Sequence, residues 1–142
     1  MEKLKGVNFG NWLVLEKWMD PTLFDGVEAE DEIWLNRLMD REQLAARMKA
    51  HRDSYITEDD FRAVAAHGLN LIRLPVPYFM FDDRPPLMGC VEYVDKAFDW
   101  AEKYDLQILL DLHTVPGSQN GYDNGGITGY AELYNSQFEQ AS

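Results

Sequence analysis

Asp111 and His113 stand two residues apart at the end of the apolar run "LQILLDLH", just before the turn-rich stretch "TVPGSQNGYDNGG". An aspartate and a histidine spaced this way on a strand share one face, because side chains alternate with period 2. Such a pair can accept hydrogen bonds from a ligand and donate them to it. Arg73 lies in a second apolar run, "LNLIRLPV", and shares a face with Leu69 and Leu71. Glu16 follows "NWLVL" and lies between Trp12 and Trp18. A carboxylate beside tryptophans suits a polyol, whose hydroxyls donate to the carboxylate while its C–H faces meet the rings.

Each of these residues also has a plainer use. Arg73 and Asp111 on neighbouring strands form an ion pair whether or not a ligand is near. Glu16 is also compatible with a solvated surface position, the usual fate of glutamate. Asp111 and His113 could ligate a metal, but no third ligand stands at a useful spacing. His51, His67 and His113 are dispersed and form no HExxH pattern. Cys90 is the single cysteine, which excludes an intrachain disulfide and a thiolate metal cluster. No cofactor is expected.

The elements that must position these residues are legible in outline. "LKGVNFGNWLVL" reads as a strand running into a glycine-interrupted loop, and "MDPTLFDG" as a turn. From 28 to 53 the pattern is weakly helical, with Ile33, Leu35, Leu38, Leu44 and Met48 apolar, and polar enough to pack over the outside of something. Thr57, with Asp60 three residues on, predicts a helix start. Phe61, Val64 and Ala65 form its stripe, and Gly68 falls where a left-handed cap is needed. "LNLIRLPV" predicts a strand covered on both faces, stopped by Pro75 and Pro77. Val91, Val94, Phe98 and Ala101 predict a second helix, and "LQILLDLH" a second buried strand. Strand, helix, strand, helix, strand is a βαβ series, so the expected class is α/β with a parallel sheet. In such sheets ligands bind at the carboxyl ends of the strands, where Arg73, Asp111 and His113 fall.

Composition narrows the partner. The 142 residues carry a net charge of −12, which argues against nucleic acid and anionic membranes. Hydrophobic residues make up 46% and charged residues 27%, as in a globular protein with a core. No apolar run approaches the roughly 20 residues of a membrane span, and no leader pattern opens the chain, so a cytoplasmic setting is expected unless a leader has been removed.

Three stretches together, "LKGVNFGNWLVLEKWM…LF", "YITEDDFRAVAAHGLNLIRLPVPYFMF" and "VDKAFDWAEKYDLQILLDLHTVPGSQNGYDNGG", resemble the N-terminal part of exo-β-1,3-glucanases of glycoside hydrolase family 5. The likeness runs over about residues 4–129. It implies a (β/α)8 TIM barrel of which residues 1–142 would hold the first three β/α units, unclosed and ending before the fourth strand. It implies a β-glucan or oligosaccharide partner, with Glu16, Arg73, His113, Tyr122 and Asn124 on the sugar site. Arg73 would sit beside the nucleophilic carboxylate and help keep it ionised. The resemblance further implies retaining hydrolysis by two glutamates, one in an Asn-Glu-Pro motif. No Asn-Glu-Pro occurs in the 142 residues, and no position matches either glutamate, so no catalytic residue is assigned. An N-terminal segment inactive alone is expected; a non-catalytic glucan-binding or self-associating piece, or one awaiting a C-terminal piece, is the alternative.

Overall fold

The computed structural model describes residues 3–114. Three parallel strands, β1 (Gly6–Asn8), β2 (Leu71–Val76) and β3 (Gln107–Leu112), form one sheet in chain order. The register pairs Asn8 with Arg73, Arg73 with Leu109, and Pro75 with Asp111. Among the described residues a 3₁₀ turn (Pro21–Phe24) and four α-helices lie between the strands: α1 (Glu32–Leu38), α2 (Arg41–Tyr55), α3 (Glu58–Ala66) and α4 (Val91–Lys103). The expected α/β series is therefore present over these residues.

α3 starts where the sequence puts it. Asp60 Oδ2 accepts the Thr57 N–H at 2.8 Å, reciprocating the cap. Gly68 follows the helix at φ 78, a left-handed position that glycine takes without strain. The buried stripes of α3 and α4 cover one face of the sheet. There Phe61 and Val64 pack with Ile72, Leu74 and Val76 of β2 and with Val94, Ala97 and Ala101 of α4. Phe61 is fully buried, with its ring edge-on to Phe9 at 5.3 Å and to Trp100 at 5.4 Å.

Four sequence expectations need correction. Pro75 does not stop β2, which continues to Val76. Arg73 O points toward β1 and accepts the Phe9 N–H at 3.0 Å. Alternation aims the Pro75 nitrogen the same way, where β1 has already ended, so its missing N–H removes no ladder bond. β3 is not buried: Leu109, Leu110 and Leu112 are 53%, 42% and 58% exposed, because β3 is the edge of the three-stranded sheet. Phe98 is exposed on α4, and the inward stripe runs instead through Tyr93, Val94, Ala97 and Ala101. Leu38 is likewise exposed.

The polar, weakly periodic segment from 28 to 53 is helical as its pattern suggests, split into α1 and most of α2. Asp31 and Asp40 cap them by accepting the Trp34 N–H at 2.8 Å and the Gln43 N–H at 3.1 Å. Leu35, Leu44 and Met48 join Leu15, Phe24 and Met88 in a second apolar cluster. The polarity of α2 has a structural use. Arg47 donates to the Leu23 and Asp25 carbonyls, and Arg52 to those of Met88 and Gly89. Long guanidinium arms thus satisfy loop carbonyls that no strand or helix can reach.

Candidate functional site

The sheet face opposite the helices carries the polar residues. Asn8 ends β1, Arg73 sits beside it on β2, and Asp111 lies one pleat further along β3. His113 follows β3 directly, its N–H held by the Val76 carbonyl at 2.9 Å. Glu16 arrives from the loop after β1. All four elements bring these groups to the carboxyl end of the sheet.

Their contacts form one network. Arg73 Nη2 donates to Asp111 Oδ2 at 2.6 Å, and Nη1 to Asn8 Oδ1 at 3.1 Å. His113 Nδ1 lies 2.8 Å from the same Asp111 oxygen. An ionised carboxylate only accepts, so Nδ1 carries the hydrogen. The 3.5 Å approach of Arg73 to Nδ1 then sets two donors side by side around one acceptor, which aligns both on Asp111 without bonding them to each other. The other ring nitrogen, Nε2, faces Glu16 Oε1 at 3.8 Å, and both side chains are largely buried. Glu16, Arg73 and His113, singled out from the sequence, are thus neighbours in space. Tyr122 and Asn124 lie outside the described residues.

Asn8 was missed by sequence reasoning, although the period-2 rule that groups Arg73 with Leu71 also separates Asn8 from Val7. Asn11, within the Glu16 loop, and Glu32 and His51, which bond to that loop from the helices, had no signal at all: Glu32 reads as one more charge in an acidic run. Among the described residues no group of three or more His, Cys, Asp or Glu could hold a metal ion. Arg73 itself supplies the cation beside Asp111. A groove of about 540 Å³ between α2 and α4, lined by Met48, Arg52, Met88, Tyr93 and Lys96, shares no residue with this network.

No family model matches the chain. Curated relatives do. A probable glucan 1,3-beta-glucosidase A of Emericella nidulans is 46% identical over 133 residues, which cover 90% of this chain and 33% of the relative. Glucan 1,3-beta-glucosidase 2 of Wickerhamomyces anomalus is 37% identical over 150 residues, covering 99% and 35%. The chain is a partial homologue of the glucan 1,3-β-glucosidases of glycoside hydrolase family 5. It spans about a third of the length of these relatives.

Among solved structures, the rutinosidase from Aspergillus niger superposes with a TM-score of 0.82 at 29% identity, over 94% of this chain and 39% of that one. The crystal structure of AoRut gives 0.79 at 32% identity, over 98% and 40%. Both are TIM-barrel glycoside hydrolases. The three-stranded parallel sheet with its covering helices is similar to part of such a fold.

Proposed function

We propose that the chain contributes one wall of the sugar pocket of a β-1,3-glucan-degrading, retaining glycoside hydrolase. In this reading residues 1–142 form part of a (β/α)8 domain, and the three strands are its first three β/α units. A whole barrel of this kind takes about 250 residues. The observation that carries the reading is the convergence of Glu16, Arg73, Asp111 and His113 at the carboxyl end of a parallel sheet, the end where barrel enzymes bind substrate. The glucan itself comes from the relatives, which are glucan 1,3-beta-glucosidases.

Each residue has a role in this scheme. Glu16 and His113 hydrogen-bond sugar hydroxyls. Asp111 orients the His113 ring through Nδ1 and holds the Arg73 guanidinium. Arg73 lends positive charge to the pocket, where it favours the ionised form of a neighbouring carboxylate. Tyr122 and Asn124 belong to the same site by the resemblance. The two glutamates that retention needs have no counterpart in the 142 residues, so the chain by itself binds without turning over.

The test is binding and turnover of laminari-oligosaccharides and of an aryl β-glucoside by the 142-residue chain, with Glu16→Gln and Asp111→Asn beside it. Binding weakened by both substitutions, with no hydrolysis, is the expected result. Hydrolysis that either substitution abolishes would place the chemistry in these carboxylates and overturn the assignment of roles.

A second reading has its own support. Leu109, Leu110 and Leu112 on β3 and Phe98 on α4 are large apolar side chains in the open. An edge strand with such a surface favours pairing with another chain or with further strands of a longer one. The chain would then act as a self-associating, non-catalytic glucan binder.

A further inference from the structure

Glu16 does not hold its own place. Two buried side chains grip the peptide that carries it. Asn11 Oδ1 accepts the Glu16 N–H at 2.7 Å, and Glu32 Oε2 accepts the preceding N–H, that of Leu15, at 3.1 Å. Both Asn11 and Glu32 are 1% exposed. Asn11 sits at φ 62, a left-handed conformation that asparagine tolerates better than most residues. Its carbonyl accepts from His51 Nε2 at 2.7 Å. A carbonyl only accepts, so the His51 hydrogen is on Nε2. Burial lowers the His51 pKa, which keeps that imidazole neutral. The Met19 N–H closes the far side of the turn on the Glu16 carbonyl at 2.9 Å.

The arrangement is costly if packing were its only purpose. A carboxyl group is expensive to bury, and among the described residues Glu32 Oε1 has no hydrogen-bond partner to offset the loss. Leucine at position 32 would fill the space more cheaply. What a leucine lacks is an acceptor for the Leu15 N–H. That N–H lies one peptide before Glu16, whose carboxylate approaches His113 at 3.8 Å. Asn11 in the loop and Glu32 on α1 thus converge on a single two-residue stretch, and His51 on α2 holds Asn11 in turn through its carbonyl.

We propose that Asn11, Glu32 and His51 are positioning residues that fix Glu16 against His113. Their functional meaning rests on the reading of Glu16 as a sugar-hydroxyl acceptor, while their geometry does not. The hydrogen bonds of all three run to the loop backbone. They act through the backbone, setting where the Glu16 carboxylate sits before a ligand arrives, which reduces the ordering cost of binding.

The experiment reads the ring nitrogens of His113 by ¹⁵N NMR on the 142-residue chain at one fixed pH. Glu16→Gln supplies the reference change expected when the carboxylate facing Nε2 is lost. Asn11→Gly keeps the left-handed conformation and deletes only the side-chain acceptor, while Asn11→Asp restores an acceptor. Glu32→Ala deletes the other acceptor, and Glu32→Gln restores it. The expected result is that Asn11→Gly and Glu32→Ala move the His113 signals in the direction of Glu16→Gln, and that Asn11→Asp and Glu32→Gln leave them near wild type. The proposal is overturned if both deletions leave the signals unmoved in a folded chain. It is also overturned if Glu16→Gln itself has no effect, or if the restoring variants behave like the deletions. Should Glu32→Ala not fold, the two Asn11 variants decide. Laminari-oligosaccharide binding on the same samples separates the two claims. If Glu16→Gln binds as tightly as wild type, the sugar-contact reading fails, and the His113 signals still judge the positioning.

Discussion

Arg73 and Asp111 meet at 2.6 Å although they stand 38 positions apart. β2 and β3 run parallel with Pro75 opposite Asp111, so Arg73, one pleat earlier on the same face, reaches diagonally to the carboxylate. The pair is partly open to solvent, with side-chain exposures of 40% and 26%. An ion pair so placed stabilises a fold only slightly. Asp111→Asn is expected to cost about 1 kcal/mol or less in urea unfolding, while laminari-oligosaccharide binding falls because Arg73 and His113 lose their common anchor. A large stability loss with unchanged binding would make the pair a purely structural one.

Glu32 sets a pH dependence. Burial, partly opposed by the charge of Arg52, raises its pKa from 4.5 to about 7, and Asp31 adds to the rise. The native state therefore holds this proton more tightly than the unfolded chain. Its contribution to stability is complete below about pH 4.5 and is lost as pH rises through about 7. Glu32→Gln stays neutral throughout. Relative to wild type it should gain stability across that window, by up to about 3 kcal/mol at the alkaline end. Unfolding curves at several pH values check this; wild-type and variant curves that run parallel with pH would refute it.

Phe61 joins α3 to the sheet and to α4 through its contacts with Phe9 and Trp100. It is fully buried. Phe61→Ala is expected to cost about 3–5 kcal/mol, from lost transfer energy and the cavity left behind. A loss below about 1 kcal/mol in denaturant unfolding would mean that the helix layer collapses onto the gap, or that this core is loose.

Gly68 needs its positive φ of 78, and an added Cβ there would meet nothing within 4 Å. Strain alone should therefore appear in Gly68→Ala, at about 1–2 kcal/mol. Gly89→Ala is a different case, because its Cβ would come within 2.9 Å of the Met80 carbonyl oxygen. The same unfolding measurement should rank Gly89→Ala as at least equally damaging, through displacement of the loop that receives Arg52.

The β3 edge gives a prediction about association. Leu110→Lys with Leu112→Lys places charge on an exposed apolar edge without touching the Arg73 network. Sedimentation velocity should show a smaller average species for the double variant than for wild type at equal concentration. Equal sedimentation of the two would remove this edge as a self-association surface.

Much of the architecture follows from local chemistry. The Thr57/Asp60 cap, the glycine at 68 and the apolar runs of β2 and β3 are each dictated within a few residues, so they are legible without knowing what they touch. Period 2 then sets Asp111 and His113 on one face and Arg73 on its own strand's outward face. What such rules leave open is register and loop path, since both depend on partners distant in the chain. That is why Asn8 escaped notice, why Pro75 looked like a strand end, and why Leu109, Leu110 and Leu112 looked buried.

The amino-acid sequence by itself determined the βαβ order, the carboxyl-end clustering of Arg73, Asp111 and His113, and the likeness to β-1,3-glucanases. Only the tertiary structure decided that Glu16 faces His113 and that Asn11, Glu32 and His51 hold it there. The physical reason is that a loop has no internal period. Its path is set by the few buried groups that satisfy its N–H and C=O groups, and in this loop the Glu32 acceptor and the His51 donor come from helices that do not begin until well after Glu16 in the chain.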